Sequence, residues 1–495
     1  MARRVALAVD LGASSGRVVS GSFDGRLLEL EEIHRFENGP VAFGGQLVWD
    51  IVRLWQEILV GLRLGASRHG AAIESVGADT WGVDFSFLTP GGELLGQPVC
   101  YRDPRTAGML AAAERAVPRD EIFAATGLQF MEINTLYQLL ALHHSRSDLL
   151  TVAGRLVMIP DIVHWLLSGI ASNERTNATT TQCFDPRRGQ WAFGLLDRLG
   201  IPRRVFGPVL EPGADLGPIR TDVAAETGLA AARVVLPGTH DTASAVAAVP
   251  AAEPPSSRPD WCYVSLGTWA LVGVEIDRPL VTPACLAHNF TNEGGVGGTT
   301  RLLKNVCGLW LVQQCRAAWR RAGDDWTWDQ ITALAAEAAP LATLVDPDHP
   351  SLMAPADMPD ALRRLAHETG EPIPQSTAAV VRCALESVAA AIARRLTEID
   401  GLLGRRVERI HVVGGGVKNR LLCQWIADAA DREVHAGPVE ATAIGNVLVQ
   451  LLAHGGTVDL RAIRAVVRDS FAIERFQPRA ASVWNERLAR RSPHR

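Results

Sequence analysis

Lysine is almost missing from this sequence, because only Lys304 and Lys418 occur among 495 residues. The Walker phosphate loop, G-x-x-x-x-G-K-[ST], needs a lysine, and neither of these two stands in that pattern. A G-x-G-x-x-G turn at the end of a strand, which is typical of dinucleotide-binding proteins, does not occur either. The sequence therefore excludes the two commonest nucleotide loops, and any phosphate site must be built from other groups.

Long apolar runs are also missing. The most apolar stretch, LVMIPDIVHWLLSGI, is interrupted by Pro160, Asp161 and His164, and it falls short of the roughly 20 apolar residues that a membrane-spanning helix needs. The N-terminal apolar stretch runs only from Val5 to Val9, which is shorter than the core of a secretory leader. We therefore expect a cytoplasmic protein without a membrane partner.

Cysteine spacing and net charge exclude further classes. The eight cysteines form no C-x-x-C pair and no zinc-like spacing, so we predict free thiols. The net charge is -5 and the isoelectric point is about 6.2, which argues against a general nucleic-acid surface. We expect no nucleic-acid partner.

The length of the chain predicts more than one domain, because 495 residues exceed the size at which a single hydrophobic core usually stops growing. The stretch AAVPAAEPPSSRPD, residues 247–260, is rich in proline, serine and alanine, as linkers are. We predict an N-terminal domain over 1–248, a linker or hinge over 249–260, a C-terminal domain over 261–455 and a C-terminal extension over 456–495.

The stretch VALAVDLGASSGRVVSG, residues 5–21, joins a strand that ends near Asp10 to a turn of small residues. Backbone N–H groups bind polyphosphate only at close approach, so glycine, alanine and serine suit such a turn. The alternative is a tight hairpin without a ligand. The triplet Leu266-Gly267-Thr268 repeats the Leu-Gly-small pattern after the predicted linker, which indicates a weak internal duplication.

A carboxylate follows another strand in RVVLPGTHDTASAVAAV, residues 233–249, where His240 and Asp241 precede a small-residue helix. In an α/β domain, ligand chemistry is usually found at such a strand-to-helix switch. Aspartate is also an ordinary residue at a helix start, and His240 could equally be a packed neighbour. If Asp241 is a general base, we expect it to ionise with an ordinary carboxylate pKa near 4.

Two more stretches place glycine beside polar groups. In RIHVVGGGVKNRLLCQWIADAAD, the glycines 414–416 lie between a strand and an amphipathic helix, where a planar base could lie against bare backbone. In SVGADTWGVDFSFLTPGGELL, an aromatic side chain and carboxylates surround a glycine, as in sugar sites, although a Trp-Gly pair in a strand is more often core and bulge. The residues concerned are Asp79, Trp81, Gly82 and Asp84.

Taken in order, these stretches resemble the FGGY family of carbohydrate kinases. The resemblance rests on VDLGASSGR, GADTWGVDF, PVCYRDPRT, NTLYQL, TNATTTQ, THDTASAVAA, SLGTWAL, TNEGG, LLKNVCGLWL, VVGGGVKNRLL and AGPVEATAIGN, from near residue 5 to about residue 450. PVCYRDPRT and VVGGGVKNR depart from the usual strings at single side chains. Residues 316–405 and 455–495 match no string of the family.

The resemblance implies an α/β protein with the actin-like, ribonuclease-H-type ATPase fold, in which two α/β domains surround a central cleft. It implies ATP, Mg²⁺ and a small-molecule sugar, in a monomer or a homodimer. Within the family, the chain most resembles members that phosphorylate L-rhamnulose at O1 with ATP, giving L-rhamnulose 1-phosphate and ADP in L-rhamnose catabolism. A kinase for another ketose, such as L-fuculose or xylulose, and a non-kinase actin-like ATPase are the alternatives.

Motif positions in the family also imply the site residues. Asp241 matches the catalytic base, and Asp10 matches an aspartate that holds magnesium through water. The implied substrate contacts are Gly82, His240, Asp241 and Thr242. The implied ATP contacts are Ala13, Ser14, Ser15, Gly16, Arg17, Thr268, Asn305, Gln313 and Gly415.

Overall fold

The computed structural model describes residues 3–453 and 455–490, so positions 1–2, 454 and 491–495 of the predicted domains lie outside the described residues. The chain forms two compact units. The first comprises the residues up to Ser257 with Glu275–Leu302 and Ala441–Ser470, and the second comprises Arg258–Val274, Leu303–Glu440 and the residues from Phe471 on. Two segments that follow the predicted linker therefore pack in the first unit.

The strands are short and numerous. Their bounds are β1 (Arg4–Leu11), β2 (Ser15–Phe23), β3 (Leu28–Glu37), β4 (Val41–Phe43), β5 (Gln46–Val48), β6 (Ile73–Thr80), β7 (Phe85–Leu88), β8 (Arg155–Met158), β9 (Asn173–Glu174), β10 (Phe184–Asp185), β11 (Gln190–Trp191), β12 (Val209–Leu210), β13 (Asp215–Pro218), β14 (Arg233–Val235), β15 (Trp261–Leu266), β16 (Trp269–Ile276), β17 (Thr291–Gly294), β18 (Thr300–Cys307), β19 (Arg409–Val413), β20 (Glu433–Ala436) and β21 (Glu474–Phe476).

The helices fill the intervals between the strands. Their bounds are α1 (Ile51–His69), α2 (Met109–Ala116), α3 (Arg119–Thr126), α4 (Thr135–His144), α5 (Asp148–Val152), α6 (Ile159–Ser168), α7 (Arg175–Ala178), α8 (Phe193–Arg198), α9 (Thr221–Thr227), α10 (Asp241–Ala247), α11 (Pro283–Ala287), α12 (Trp310–Ala322), α13 (Trp328–Glu337), α14 (Met358–Glu368), α15 (Thr377–Leu403), α16 (Arg420–Ala430), α17 (Ala441–Leu452), α18 (Leu460–Ser470) and α19 (Ala481–Arg490).

The main sheet of the first unit has the strand order β13-β14-β6-β1-β2-β3. Strand β1 is antiparallel to β2 and parallel to β6. From Val5 to Val9 every residue of β1 is buried, because helices cover both faces of the sheet; a strand in that position reads as a continuous apolar run. The predicted first strand is therefore the middle of a sheet.

Helices α1 and α17 pack against this sheet. Leu54, Ile58 and Leu62 of α1 share a core with the β1 residues Leu7 and Val9. Strand β2 lies so close to α17 that a methyl group on Gly21 would come within 2.4 Å of Val447. Helix α17 also packs on α10, where a methyl group on Gly445 would lie 1.8 Å from the Ser244 carbonyl oxygen. This contact with α17 fixes the helix that begins at Asp241.

In the second unit, residues 303–307 of β18 are followed across the sheet by β16, β15, β19, β20 and β21. Strand β15 is antiparallel to β16 and parallel to β19, as β1 is antiparallel to β2 and parallel to β6. In both units a second parallel strand and then an antiparallel strand follow along the sheet. The shared order supports the internal duplication that the two Leu-Gly hairpins predict.

All eight cysteines are buried and none is in a disulfide bond, which confirms the predicted free thiols. Within residues 3–453 and 455–490, no helix has both the length and the apolar character to cross a bilayer.

Candidate active site

Three polar residues meet at the carboxyl end of β1, namely the predicted site residues Asp10 and Arg17 and their neighbour Asp79. Asp10 lies opposite Arg17 on β2 and opposite Asp79 on β6. Arg17 Nη2 donates to Asp10 Oδ2 at 2.7 Å, and Arg17 Nε donates to the same oxygen at 2.9 Å. The hairpin thus brings the predicted magnesium-proximal aspartate and a predicted ATP-binding arginine into one ion pair.

Asp79 is a third carboxyl group of this unit's site, and it is fully buried. Asn446 of α17 donates to its Oδ2, whereas its Oδ1 has no hydrogen-bond partner among the described residues. Burial and the nearby charges of Asp10 and Asp241 raise the pKa of Asp79 well above its ordinary value. Its neutral form is favoured because it lowers the repulsion among the three carboxyl groups.

The turn after β1 is braced by its own backbone and by Asn38. Gly12 N–H donates to the Ser15 carbonyl oxygen at 2.8 Å, and Asn38 Nδ2 donates to the Gly12 carbonyl oxygen at 2.7 Å. Gly16 is buried so tightly that a methyl group there would come within 2.3 Å of the Phe36 ring. Ser14 is exposed and Ala13 is half-buried, so this part of the turn is accessible to a ligand.

The predicted catalytic base starts α10, and His240 is the N-cap residue. Thr242 donates to Asp241 Oδ1 through its backbone N–H and, at 3.0 Å, through its hydroxyl group. His240 Nε2 lies 3.4 Å from the same oxygen. Oδ2 of Asp241 accepts no hydrogen bond from the described residues, so it is the oxygen left to meet a substrate hydroxyl group.

The expected ordinary pKa of Asp241 is wrong. About a third of its side chain is exposed, but burial of the rest raises its pKa, with a smaller contribution from the Asp10 charge. The nearby His240 and the Thr242 donors oppose that rise. A base with a raised pKa holds a transferred proton more firmly than an ordinary aspartate does.

Glu174 fixes the backbone that leads to Asp241. It is fully buried and accepts hydrogen bonds from the backbone and the hydroxyl group of Thr239, at 3.0 and 2.6 Å. Its Oε2 also accepts from the hydroxyl group of Thr176, which in turn accepts from the backbone N–H of His240 at 3.1 Å. Hydrogen bonds from the Thr239 N–H, the Thr239 hydroxyl group and the His240 N–H therefore hold the segment before α10.

A buried ion pair stands behind His240. Arg301 of β18 is fully buried, and its Nη2 lies 3.1 Å from Glu293 Oε2 of β17. The same Nη2 lies 3.0 Å from His240 Nδ1, and Glu293 Oε2 lies 3.2 Å from that ring nitrogen. Although burial alone would raise it, the pKa of Glu293 is lowered because Arg301 and His240 favour its charged form.

Packing explains both the glycine and the tryptophan of the predicted sugar stretch. A methyl group on Gly82 would lie 2.8 Å from Thr180 Oγ1, so the glycine is required by packing against the TNATTTQ segment. Trp81 is buried and packs against Trp49, with ring centroids 4.2 Å apart and the rings tilted by 43°. Both indole N–H groups donate to Asp84 Oδ2; Trp81 and Asp84 are thus core residues, as the simpler interpretation of a Trp-Gly pair has it.

The second unit holds the other predicted ATP residues. Thr268 lies in the turn between β15 and β16, and its hydroxyl group donates to Gln313 Oε1 at 3.2 Å. Backbone N–H groups of Gly308 and Trp310 donate to the Thr268 carbonyl oxygen. Asn305 is half-buried on β18. The structure therefore joins Thr268 to Gln313 although 45 residues separate them.

The three consecutive glycines have different roles. Gly414 has a φ of 89°, in the region that favours glycine. A methyl group on Gly416 would lie 2.3 Å from the Leu266 side chain, whereas one on Gly415 would meet nothing within 4 Å. Gly415 is also exposed. Backbone geometry and packing explain two of the glycines, and Gly415 alone presents open backbone.

Sequence reasoning did not select four of the residues that shape this site. They are Glu174, Glu293, Arg301 and Asn446, of which Glu293 and Arg301 lie in or near the TNEGG string. Each acts through a partner that is distant in the sequence, such as Asn446, which is 367 residues from Asp79. A local pattern cannot reveal such a partner. The only signal was the presence of polar or charged residues in otherwise apolar stretches of sequence.

Family models and relatives identify the class of protein. Residues 5–248 match the N-terminal domain of the FGGY family of carbohydrate kinases, and residues 262–454 match its C-terminal domain. The chain belongs to the FGGY family of carbohydrate kinases. This confirms the family that the sequence strings indicate.

Curated relatives within the family carry a more specific name. A rhamnulokinase from Bacteroides thetaiotaomicron is 41% identical over 478 residues, which are 97% of this chain and 96% of the relative. A rhamnulokinase from Oceanobacillus iheyensis is 39% identical, covering 94% of this chain and 96% of the relative. One from Bacillus subtilis is 35% identical, covering 95% of each chain.

Solved structures show the same fold at low sequence identity. A gluconate kinase from Lactobacillus acidophilus matches with a TM-score of 0.80 and 15% identity, covering 99% of this chain and 96% of that one. A Plasmodium falciparum glycerol kinase with ADP matches with a TM-score of 0.77 and 14% identity, covering 100% of this chain and 99% of that one. These likenesses confirm the predicted fold class, two α/β domains of the actin-like ATPase type.

Proposed function

We propose that this chain uses ATP to phosphorylate L-rhamnulose at its O1 hydroxyl group, giving L-rhamnulose 1-phosphate and ADP. The observation that carries the proposal is the environment of Asp241. Two Thr242 donors bind Oδ1, His240 Nε2 lies 3.4 Å from it, and the other oxygen is left for a substrate hydroxyl group. The rhamnulokinase relatives, 35–41% identical over nearly the whole chain, support the choice of sugar.

The transfer needs one proton acceptor and good alignment. The O1 oxygen of the sugar attacks the γ-phosphorus, the new O–P bond forms, and the bond from the γ-phosphorus to the β,γ-bridging oxygen breaks to release ADP. In such a loose transition state, positioning and charge neutralisation supply most of the rate enhancement. Asp241 Oδ2 accepts the proton that O1 loses, and Gly82, His240 and Thr242 contact the sugar.

The nucleotide residues follow from the accessible backbone and hydroxyl groups. We assign phosphate contacts to the turn Ala13, Ser14, Ser15, Gly16 and Arg17, and further ATP contacts to Thr268, Asn305, Gln313 and Gly415. Ser14 and Gly415 are exposed, which suits contacts through backbone N–H groups. Gly415 also leaves room for a planar group, since nothing lies within 4 Å of an added methyl group.

The carboxylate at Asp10 fits a magnesium ion held through water. Mg²⁺ keeps several waters and is usually held by one or two carboxylates together with substrate phosphates. Asp10 supplies one hard oxygen donor, and within the described ranges no group of three or more His, Cys, Asp or Glu residues could form a protein cage for a metal. Mg²⁺ bound with ATP would neutralise phosphate charge.

We also place the enzyme in the cytoplasm, where ATP is available and free thiols persist. The eight buried cysteines, none of which is in a disulfide bond, support a reducing compartment. A monomer or a homodimer without a nucleic-acid partner is still a prediction of the sequence.

A panel of ketoses tests the proposal. Purified protein is given MgATP with L-rhamnulose, L-fuculose, xylulose or no sugar, and ADP release is measured with product identification. We expect the highest kcat/KM with L-rhamnulose, phosphate on O1, and little ADP release without sugar. A higher kcat/KM with L-fuculose or xylulose would reassign the substrate, and sugar-independent ADP release would favour a non-kinase ATPase.

A further inference from the structure

A chain of four side chains leads from the interior of the first unit to the proposed base. Arg301 and Glu293 are buried behind His240, and Asp241 lies in front of it. Each of the three innermost groups has 10% side-chain exposure or less. Packing and contacts within the protein therefore set the geometry of this arrangement.

The contact between Arg301 and His240 determines where the ring proton resides. Arg301 Nη2–H points at His240 Nδ1 across 3.0 Å with hydrogen-bond alignment. Because a guanidinium group is always a donor and never an acceptor, Nδ1 supplies the lone pair in this contact. Glu293 Oε2 lies 3.2 Å from the same nitrogen but forms no hydrogen bond with it. A neutral His240 then has its proton on Nε2, the ring nitrogen 3.4 Å from Asp241 Oδ1.

The position of this proton affects how well the ionised form of Asp241 is stabilised. A lone pair on His240 Nε2 would repel a carboxylate oxygen 3.4 Å away, whereas an N–H group there attracts it. With the two Thr242 donors, that N–H completes a set of donors on Oδ1. The ionised carboxylate is then held in one orientation, with Oδ2 turned to the substrate.

We propose that Arg301 and Glu293 are positioning residues, which hold His240 with its proton on Nε2 and aimed at the base. Glu293 fixes Arg301 and balances its buried charge, since the two groups lie 3.1 Å apart. Neither residue is among the proposed sugar or ATP contacts. The kinetic part of this inference rests on the proposed function, but the tautomer of His240 does not.

The tautomer is measured directly in the intact chain. Protein labelled with ¹⁵N in its histidines gives ring-nitrogen spectra, and the His240→Gln variant identifies the His240 signals among the 13 histidines. We expect the neutral form of the ring to carry its proton on Nε2. A ring protonated on Nδ1 would overturn the inference, whether or not the chain phosphorylates L-rhamnulose.

Two variants with a matched control test the effect on turnover. Arg301→Lys keeps the charge but removes the planar fork, and Glu293→Gln removes the charge that holds it. Glu275→Gln is the control, because Glu275 is equally buried, pairs with Arg464 in the same unit and accepts from Thr299. All three disturb a buried ion pair, and only the first two act on His240.

Relative to the control, we expect kcat to fall about tenfold to a hundredfold in both test variants, part of the roughly 10²–10⁴ that a positioned base supplies. KM for the sugar and for ATP should change little. In Arg301→Lys the ¹⁵N spectrum should gain a ring protonated on Nδ1.

Losses of kcat no greater than in Glu275→Gln, with wild-type protein active, would contradict the positioning role. Wild-type protein inactive on L-rhamnulose would instead contradict the proposed function, and the spectrum would still decide the tautomer.

Discussion

Asp10 and Arg17 face each other across the hairpin of β1 and β2, with Arg17 Nη2 2.7 Å from Asp10 Oδ2. Both side chains are mostly buried, with 12% and 15% exposure. The pair places one positive and one negative group at the start of the small-residue turn. A phosphate anion would interact with Arg17, and a magnesium ion would interact with Asp10.

Replacing Arg17 should weaken ATP binding. In Arg17→Met we expect KM for ATP to rise about tenfold to a hundredfold, because a charge-assisted hydrogen bond contributes about 1.5–3 kcal/mol. Steady-state kinetics at saturating sugar measure it. Arg35→Met is the control, since Arg35 lies opposite Arg17 on β3 but pairs with Glu32 at the surface. Equal KM values in the two variants would contradict the assignment.

Thr242 should tune the pH at which the base is active. Its hydroxyl donates to Asp241 Oδ1 and opposes the rise in the pKa of Asp241. In Thr242→Val that pKa rises further, so the fall of kcat on the acid side should move to higher pH. The control is Thr227→Val, whose hydroxyl bonds only within α9. An acid limb that stays in place in Thr242→Val would count against Asp241 as the titrating base.

Gly415 offers a test of the nucleotide site that leaves folding intact. A methyl group there meets nothing within 4 Å, so Gly415→Ala should keep the wild-type melting temperature. If ATP lies against this backbone, KM for ATP should rise several-fold while kcat changes little. Gly401→Ala, at another open glycine on α15, should leave KM unchanged. An unchanged KM in Gly415→Ala would remove this residue from the ATP site.

Asp161 should make stability depend on pH. It is fully buried, and burial raises its pKa to about 8. Between its unfolded pKa near 4 and that value, the folded chain holds a proton that the unfolded chain releases. The free energy of unfolding should therefore fall as pH rises, by about 1.4 kcal/mol per pH unit from this group.

The neutral variant Asp161→Asn should lack that slope. Urea unfolding of wild type, Asp161→Asn and the exposed control Asp222→Asn at pH 5, 6 and 7 compares them. The wild type and Asp222→Asn should lose stability more steeply over this range than Asp161→Asn. Parallel pH profiles for all three would show that Asp161 does not hold its proton.

The sequence predicted what is local and missed what is assembled over distance. The turn after Asp10, the helix start at Asp241 and the echo at Thr268 lie in short stretches whose residue types dictate their backbone. The ion pair of Glu293 and Arg301 forms only when β17 and β18 reach His240. The raised pKa of Asp241 likewise depends on burial by distant segments, so an ordinary value was the natural but wrong expectation.

Turnover of Asp241→Asn tests the central claim most directly. Single-turnover phosphorylation of L-rhamnulose by Asp241→Asn is compared with wild type and with Asp161→Asn, a change at a fully buried carboxyl group of the same unit. Loss of the proton acceptor should slow Asp241→Asn about 10²–10⁴-fold, with sugar binding and melting temperature near wild type, while Asp161→Asn keeps its rate. A rate for Asp241→Asn close to wild type would contradict the account.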